Sequence, residues 1–82
     1  MEDLTKVGRA EAILHELGFR QCRVRVHGDL ARVEVEAADL GRLSEPGTRV
    51  LITNGLKTLG YRFVTLDLEG FRSGSMNPPA SR

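Results

Sequence analysis

The stretch RQCRVRVHGDLARVEVE, residues 20–36, decides the fold. Apolar and polar residues alternate on both sides of Gly28-Asp29, and a period of two is typical of a strand with one buried face. Gly followed by Asp suits a two-residue turn between antiparallel strands. We therefore predict a β-hairpin made of residues 20–27 and 30–36, with one apolar face and one arginine-rich face.

Helices are predicted on both sides of the hairpin. Residues 4–17 place apolar side chains every three or four positions, as an amphipathic helix does. Residues 48–59 fit two structures, because Asn54-Gly55 after an apolar run would also suit a strand and a hairpin turn. We favour a helix, since this stretch ends in Leu-Gly as the first helix does. A short helical turn is expected at residues 38–43.

An internal repetition supports this order, because Leu17-Gly18-Phe19-Arg20 is answered by Leu59-Gly60-Tyr61-Arg62. Alternation follows each segment, so residues 62–69 should form a third strand whose inner face includes Leu68. The predicted class is α+β in the order α-β-β-α-β, with a three-stranded sheet and two helices packed on one face. This resembles a ferredoxin-like fold that lacks its first strand.

Length and composition limit the available functions. The 82 residues suffice for one small α+β domain, placed at residues 1–72, before a polar, mobile tail at residues 73–82. A net charge of +1 and few aromatic residues disfavour nucleic acid as a partner. The apolar runs are too short to cross a bilayer, so we expect no membrane partner. The sequence shows no apolar leader, so we expect no signal peptide. The single cysteine indicates a reducing, cytoplasmic environment.

If the turn is as predicted, it brings arginines of the polar face together. The predicted pairs are His27 with Leu30, Val26 with Ala31, Arg25 with Arg32, Val24 with Val33, Arg23 with Glu34 and Cys22 with Val35. Two arginines directly opposite are mildly destabilising unless an anion lies between them, and guanidinium groups can bind phosphate in bidentate fashion. The alternative is that Glu34 and Asp67 neutralise both arginines on a solvated surface.

The segment Phe71-Arg72-Ser73-Gly74-Ser75 is a second candidate for binding an anion. Its glycine and hydroxyl groups could turn backbone N–H groups toward phosphate, and Arg72 adds a positive charge. The spacing does not match a Walker-type loop. The alternative is a flexible polar tail without a ligand.

The other residues with reactive side chains have simpler interpretations. Cys22 faces the predicted core, so we interpret it as a buried thiol rather than a nucleophile. His27 has no partner at the spacing of a catalytic triad or a metal site, and we interpret His15 as a surface residue of the first helix. Asp67 and Glu69 share a strand face and could pair for acid–base chemistry, but we favour a role in neutralising arginines.

Several stretches together carry a family resemblance. They are LGFRQ (residues 17–21), RVR (23–25), HGDLARVE (27–34), LKTLGYRFVTLDLEG (56–70) and FRSGSMN (71–77), of which residues 72–77 are the most specific. These stretches resemble the C-terminal domain of the LarE-type, ATP-dependent sacrificial sulfur transferases. Those enzymes belong to the PP-loop ATP pyrophosphatase superfamily and serve biosynthesis of a nickel-pincer nucleotide cofactor.

The resemblance implies that this small domain helps to assemble oligomers and contacts the phosphate of a substrate or nucleotide. By position, it implies Arg25 and Arg72 as the first phosphate contacts and Arg23 and Arg32 behind them. Ser73 and Ser75 remain phosphate-binding candidates through the hydroxyl groups of the segment described above. On this basis we favour the anion interpretation of the arginine pair over simple neutralisation.

The chain also departs from that family. The Ser-Gly-Gly-x-Asp-Ser loop that grips ATP is absent, and so is the segment with the sulfur-donating cysteine, a role that Cys22 does not inherit. We therefore expect an accessory domain that is not an active enzyme alone, working with a PP-loop catalytic domain of the same parent protein or of a separate chain. ATP and Mg are implied for the parent family, and no cofactor for this chain. The alternative is a purely structural interaction or oligomerisation module.

Overall fold

The computed structural model describes residues 4–71. In chain order it contains α1 (Leu4–Glu16), β1 (Cys22–His27), β2 (Leu30–Val35), a 3-10 turn (Ala37–Asp39), α2 (Leu40–Leu43), α3 (Pro46–Thr58) and β3 (Phe63–Leu66). The α+β class and the α-β-β-α-β order are confirmed, and the expected helical turn is present as the 3-10 turn and α2. The domain boundary at residue 72 and the tail lie outside the described residues, so both stay predictions.

The hairpin forms in the register that its turn predicts. β1 and β2 are antiparallel, with Arg25 opposite Arg32 and Cys22 opposite Val35. β3 lies beside β2 and parallel to it, so the strand order is β1-β2-β3. Parallel neighbours need a crossover connection, and α2 and α3 supply it. The middle strand is therefore β2, and no gap remains within the sheet.

The core lies between the helices and the apolar face of the sheet. α1 packs on β1, while α3 packs on β3 and on α1. The buried apolar residues are Ala10, Leu14, Phe19, Val24, Ala31, Val33, Val35, Leu43, Ile52, Leu56 and Tyr61. On the hairpin they come from the face that alternation predicted to be buried. None of the helices within residues 4–71 has the length and apolar character needed to cross a membrane.

The repeated Leu-Gly-aromatic segments end both long helices in the same way. Gly18 and Gly60 have φ values of 97° and 113°, which favour glycine. Each glycine N–H bonds the carbonyl three residues back, and the N–H of the following Phe19 or Tyr61 bonds the carbonyl five residues back. This is the Schellman arrangement of a helix C-terminus. It turns both aromatic side chains into the core.

α3 begins at Pro46, two residues before its predicted start. Proline suits the first turn of a helix, where no intrahelical acceptor exists for an N–H group. The strand-and-turn alternative for this stretch is wrong, because Asn54-Gly55 lies inside the helix. A Cβ atom on Gly55 would lie 3.0 Å from Cδ1 of Ile13. Glycine at this position therefore lets α3 lie close to α1.

β3 is shorter than predicted, and the expectation that Leu68 lies on the inner face is wrong, since Leu68 is 81% exposed. The Asp67 carboxylate accepts a hydrogen bond from the N–H of Glu69 at 2.8 Å, and such side-chain turns compete with strand structure. The N–H of Phe71 then reaches the carbonyl of Val35 at 2.6 Å. After this turn the chain therefore rejoins the end of β2.

Candidate anion-binding site

Two arginines of the polar sheet face converge on one carboxylate. The hairpin register sets Arg25 opposite Arg32, and Glu34 follows on the same face of β2. Nε of Arg25 lies 3.1 Å from Oε2 of Glu34, and Nη2 of Arg32 lies 3.5 Å from the same atom. The two guanidinium groups therefore meet at a carboxylate.

Glu34 is the buried member of this group. Its residue surface is 7% exposed, whereas the side chains of Arg25 and Arg32 are 45% and 37% exposed. Burial of a carboxylate is unfavourable unless charged partners compensate it. The two guanidinium groups supply that compensation, and Glu34 in turn fixes one end of each arginine.

A second carboxylate lies beside Arg32. Oδ2 of Asp67 is 3.6 Å from Nε of Arg32, which is an ion-pair distance but too long for a good hydrogen bond. Nε of Arg32 is buried and has no hydrogen-bond partner among residues 4–71. Oδ1 of Asp67 already accepts the N–H of Glu69. Asp67 is therefore held mainly by its own turn.

The cluster of Arg25, Arg32, Glu34 and Asp67 pairs two positive with two negative side chains, as the neutralisation alternative expects. The arginines nevertheless present donors to solvent. Arg25 contacts Glu34 through Nε, and its two Nη groups have no partner in the part of the chain that the structure describes. The outer surface of the cluster is therefore richer in donors than its formal charge indicates.

Arg23 lies at the other end of β1 and contacts an aromatic ring. Its guanidinium lies 5.1 Å from the ring centroid of Phe71, a cation–π contact. Phe71 is the last residue that the structure describes, so the described part of the chain ends next to Arg23. The predicted contacts that lie outside the described residues are Arg72, Ser73 and Ser75. One open cleft of about 310 Å³ along β1 brings together Arg23, Arg25 and Arg32, and its other lining residues are His27, Val7, Val24 and Val26.

Cys22 has the environment of a structural thiol. It faces inward and packs against the core. Burial, and to a smaller extent the Glu11 carboxylate, raise the pKa of the Cys22 thiol from 9.0 to about 11. Because the thiolate is the nucleophilic form, this side chain is protonated at neutral pH. Residues 4–71 contain no group of three His, Cys, Asp or Glu residues that could hold a metal ion.

The outer edge of β1 is tied to α1 by a contact that the sequence did not indicate. Oε2 of Glu11 accepts a hydrogen bond from the backbone N–H of Val24 at 2.9 Å. In the sequence Glu11 is one of several polar residues on a helix face, and no pattern distinguishes it. The contact occupies a donor that an edge strand otherwise leaves open.

A cleft beside β3 is apolar and was also missed. It has a volume of about 140 Å³, lies between α3 and β3, and includes Leu43, Ile52, Val64 and Leu66 in its lining. Val50 of α3 does not line this cleft, but it is a further apolar residue on the surface and is 54% exposed. Exposed apolar surface of this kind often marks an interaction site.

Comparison with known proteins gives two informative similarities, although no protein-family model matches the chain. Over 76 residues, 93% of the chain, it is 46% identical to the pyridinium-3,5-bisthiocarboxylic acid mononucleotide synthase of Lactiplantibacillus plantarum. Over 77 residues, 94% of the chain, it is 38% identical to an uncharacterized protein of Synechocystis sp.. The matched parts are 27% and 29% of these relatives, so the chain spans little more than a quarter of their length.

The first of these similarities confirms the resemblance drawn from the residues. That relative is LarE, and a match of this extent is consistent with its C-terminal domain. The chain is thus similar to one part of a LarE-type protein.

Proposed function

We propose that this chain is a non-catalytic accessory module of an ATP-dependent sulfur transferase, and that its arginine-rich sheet face holds the phosphate of a substrate or nucleotide. The similarity to a mononucleotide synthase over 93% of the chain supports this assignment, because a mononucleotide carries a phosphate group. The rest of that relative lies outside the match, which supports a catalytic PP-loop domain in the same parent protein.

The observation that carries the proposal is the meeting of Arg25 and Arg32 on the polar sheet face. Arg25 is the principal contact in this proposal, because Glu34 holds its Nε while its Nη groups stay available to a bidentate ligand. Arg23 lines the same open cleft of about 310 Å³ as Arg25 and Arg32. The other predicted contacts are Arg72, Ser73 and Ser75, which follow Phe71 in the sequence. In this proposal they complete the site.

The chemical contribution of the module is positioning. A phosphate held by arginines limits the motion of the remainder of the substrate, and limited motion lowers the entropic cost of reaction in a neighbouring catalytic domain. We assign ATP and Mg²⁺ to that domain, because the resemblance implies them for the parent family. We also propose a role in assembling oligomers, in the cytoplasm, where a single cysteine stays reduced.

The proposal is tested by titrating the isotopically labelled chain with inorganic phosphate and with adenosine monophosphate at constant ionic strength. We expect saturable NMR shift changes around Arg25 and Arg32. Arg25→Ala and Arg72→Ala should each weaken binding about tenfold or more, because a charge-assisted bidentate contact is lost. Arg62→Ala is the matched control, since Arg62 is an exposed cation at the turn end of the sheet, paired with Asp29 at 3.7 Å. Binding that survives both arginine changes would contradict the site.

A structural interaction module is the second candidate, and the apolar cleft favours it. The cleft adjoins β3, whose outer edge pairs with no other strand among the described residues. An open strand edge beside apolar surface suits the docking of a protein segment.

Sedimentation with and without phosphate separates the two candidates, because both allow association and only the first includes a bound phosphate. An interaction module should associate in a concentration-dependent manner that phosphate does not alter. Thr53→Lys should weaken that association, because it places a charge in the lining of the apolar cleft. A chain that stays monomeric at high concentration and responds to phosphate would contradict the interaction module.

A further inference from the structure

We propose that Glu34 is the positioning residue of this anion site, because its carboxylate fixes Arg25 and Arg32 in the arrangement that receives a phosphate. Asp67 has the opposite effect and limits affinity through its charge. The inference rests on the proposed function and adds to it the residue that arranges the site and the residue that weakens it.

The contacts of the arginines support the role of Glu34. Oε2 of this one carboxylate reaches Nε of Arg25 at 3.1 Å and Nη2 of Arg32 at 3.5 Å. Each contact leaves other donors of the guanidinium group available. A long side chain that is already held loses less conformational entropy when it binds a ligand than a freely rotating one. Glu34 therefore prepares both arginines without touching the ligand.

Glu34 and Asp67 differ in how far their side chains are buried. The side chain of Glu34 is 10% exposed and lies beneath the two arginines, whereas that of Asp67 is 27% exposed. A ligand that approaches from solvent meets the guanidinium groups before it meets Glu34. Of the two arginines, Asp67 contacts Arg32 alone, at 3.6 Å, whereas Glu34 contacts both and holds Nε of Arg25 at 3.1 Å. The charge of Asp67 nevertheless lies close to any anion bound at Arg32.

Electrostatics alone and positioning make different predictions for Glu34. Loss of either carboxylate raises the local net charge by one unit, which on Coulombic grounds should tighten phosphate binding in both cases. If Glu34 positions the arginines, its loss should weaken binding in spite of the added positive charge. The two carboxylates should then act with opposite signs.

The test measures the Kd for inorganic phosphate by NMR titration of the full chain in chloride buffer at constant ionic strength. We expect Glu34→Gln to weaken binding about threefold or more, and Asp67→Asn to tighten it by about twofold to fivefold. Asn at position 67 keeps an oxygen acceptor for the N–H of Glu69. Glu34→Asp retains the charge but has a shorter side chain, so it should also weaken phosphate binding. It replaces Glu34→Gln as the test if that variant does not fold.

Thermal unfolding of each variant accompanies the titrations. Glu34 variants that melt earlier but bind phosphate as the wild type does would overturn the inference, because the residue would then be structural only. Tighter binding by Glu34→Gln would also overturn it, as for a simple counter-charge. In both cases binding that still depends on Arg25 leaves the proposed function standing. A wild-type chain that binds no phosphate would refute the proposed function, and this inference with it.

Discussion

Arg25 and Arg32 face each other with like charge, and Glu34 is the residue that makes this pairing stable. Like charges directly opposite cost roughly 0.2–1 kcal/mol, and one buried carboxylate in contact with both offsets that cost. The sequence could place the two arginines opposite each other, because a two-residue turn fixes hairpin register. It could not show that both would share Glu34, since that depends on side-chain rotamers and burial.

At the residue scale, the Cys22 thiol should react slowly in the folded chain. A pKa near 11 in place of 9.0 lowers the thiolate fraction at pH 8 about a hundredfold relative to the unfolded chain. Labelling with a disulfide reagent should therefore be slower by about tenfold or more in buffer than in urea, because the greater nucleophilicity of the more basic thiolate offsets part of the hundredfold factor. Fast labelling at pH 8 in the folded state would restore Cys22 as a candidate nucleophile.

The same shift gives a pH dependence of stability with a definite sign. The folded pKa of Cys22 lies above the unfolded value, so the unfolded chain loses its proton first as the pH rises. The contribution of the thiol to stability is complete below pH 9 and is lost progressively between pH 9 and about 11. Urea unfolding across this range should show the decline, and Cys22→Ala should reduce it.

At the scale of elements, both long helices end with a glycine and an aromatic ring covered by a cation. The Arg42 guanidinium lies 4.0 Å from the Phe19 ring centroid, and Nζ of Lys6 lies 4.5 Å from that of Tyr61. Arg42 also donates to the carbonyl of Leu17 at 3.2 Å. The repetition seen in the sequence is therefore a repeated way of ending a helix and sealing its last ring.

Gly60→Ala should destabilise the fold by about 1 kcal/mol or more, because Gly60 has a φ of 113° that a Cβ atom disfavours. Gly8→Ala is the control with the opposite sign. Gly8 lies inside α1, and a Cβ atom on it would meet no other element of residues 4–71 within 4 Å, so alanine should stabilise by about 0.5–1 kcal/mol. In thermal melts each kcal/mol corresponds to roughly 4–8 °C. Equal melting temperatures would contradict the assigned helix end.

At the scale of the whole molecule, alternation and turn chemistry predicted the hairpin, its register and its buried face. They failed where a single side chain redirects the backbone. Asp67 bonds the N–H of Glu69, and this turn exposes Leu68 although alternation continues through it. The position of β3 beside β2 could not be predicted either, because strand order depends on the crossover and not on residue pattern.

Glu11→Ala should weaken the whole fold, since it removes the acceptor of the Val24 N–H on β1. A hydrogen bond to a charged group contributes about 1.5–3 kcal/mol, so urea unfolding should show a loss of about this size. Glu16→Ala is the matched control, an exposed carboxylate on the same helix. Similar losses in both variants would show that charge, rather than the bond to β1, matters.

The tie between Glu11 and Val24 also bears on how copies of this chain could associate. Within residues 4–71, one backbone donor on the β1 margin of the sheet is occupied by Glu11 of α1, whereas the β3 margin pairs with no strand. Two molecules joined through their β3 margins would be related by a twofold axis. The open strand edge of each molecule would then be paired with that of the other. A twofold pair of this kind is closed, so that contact by itself does not propagate into a fibre.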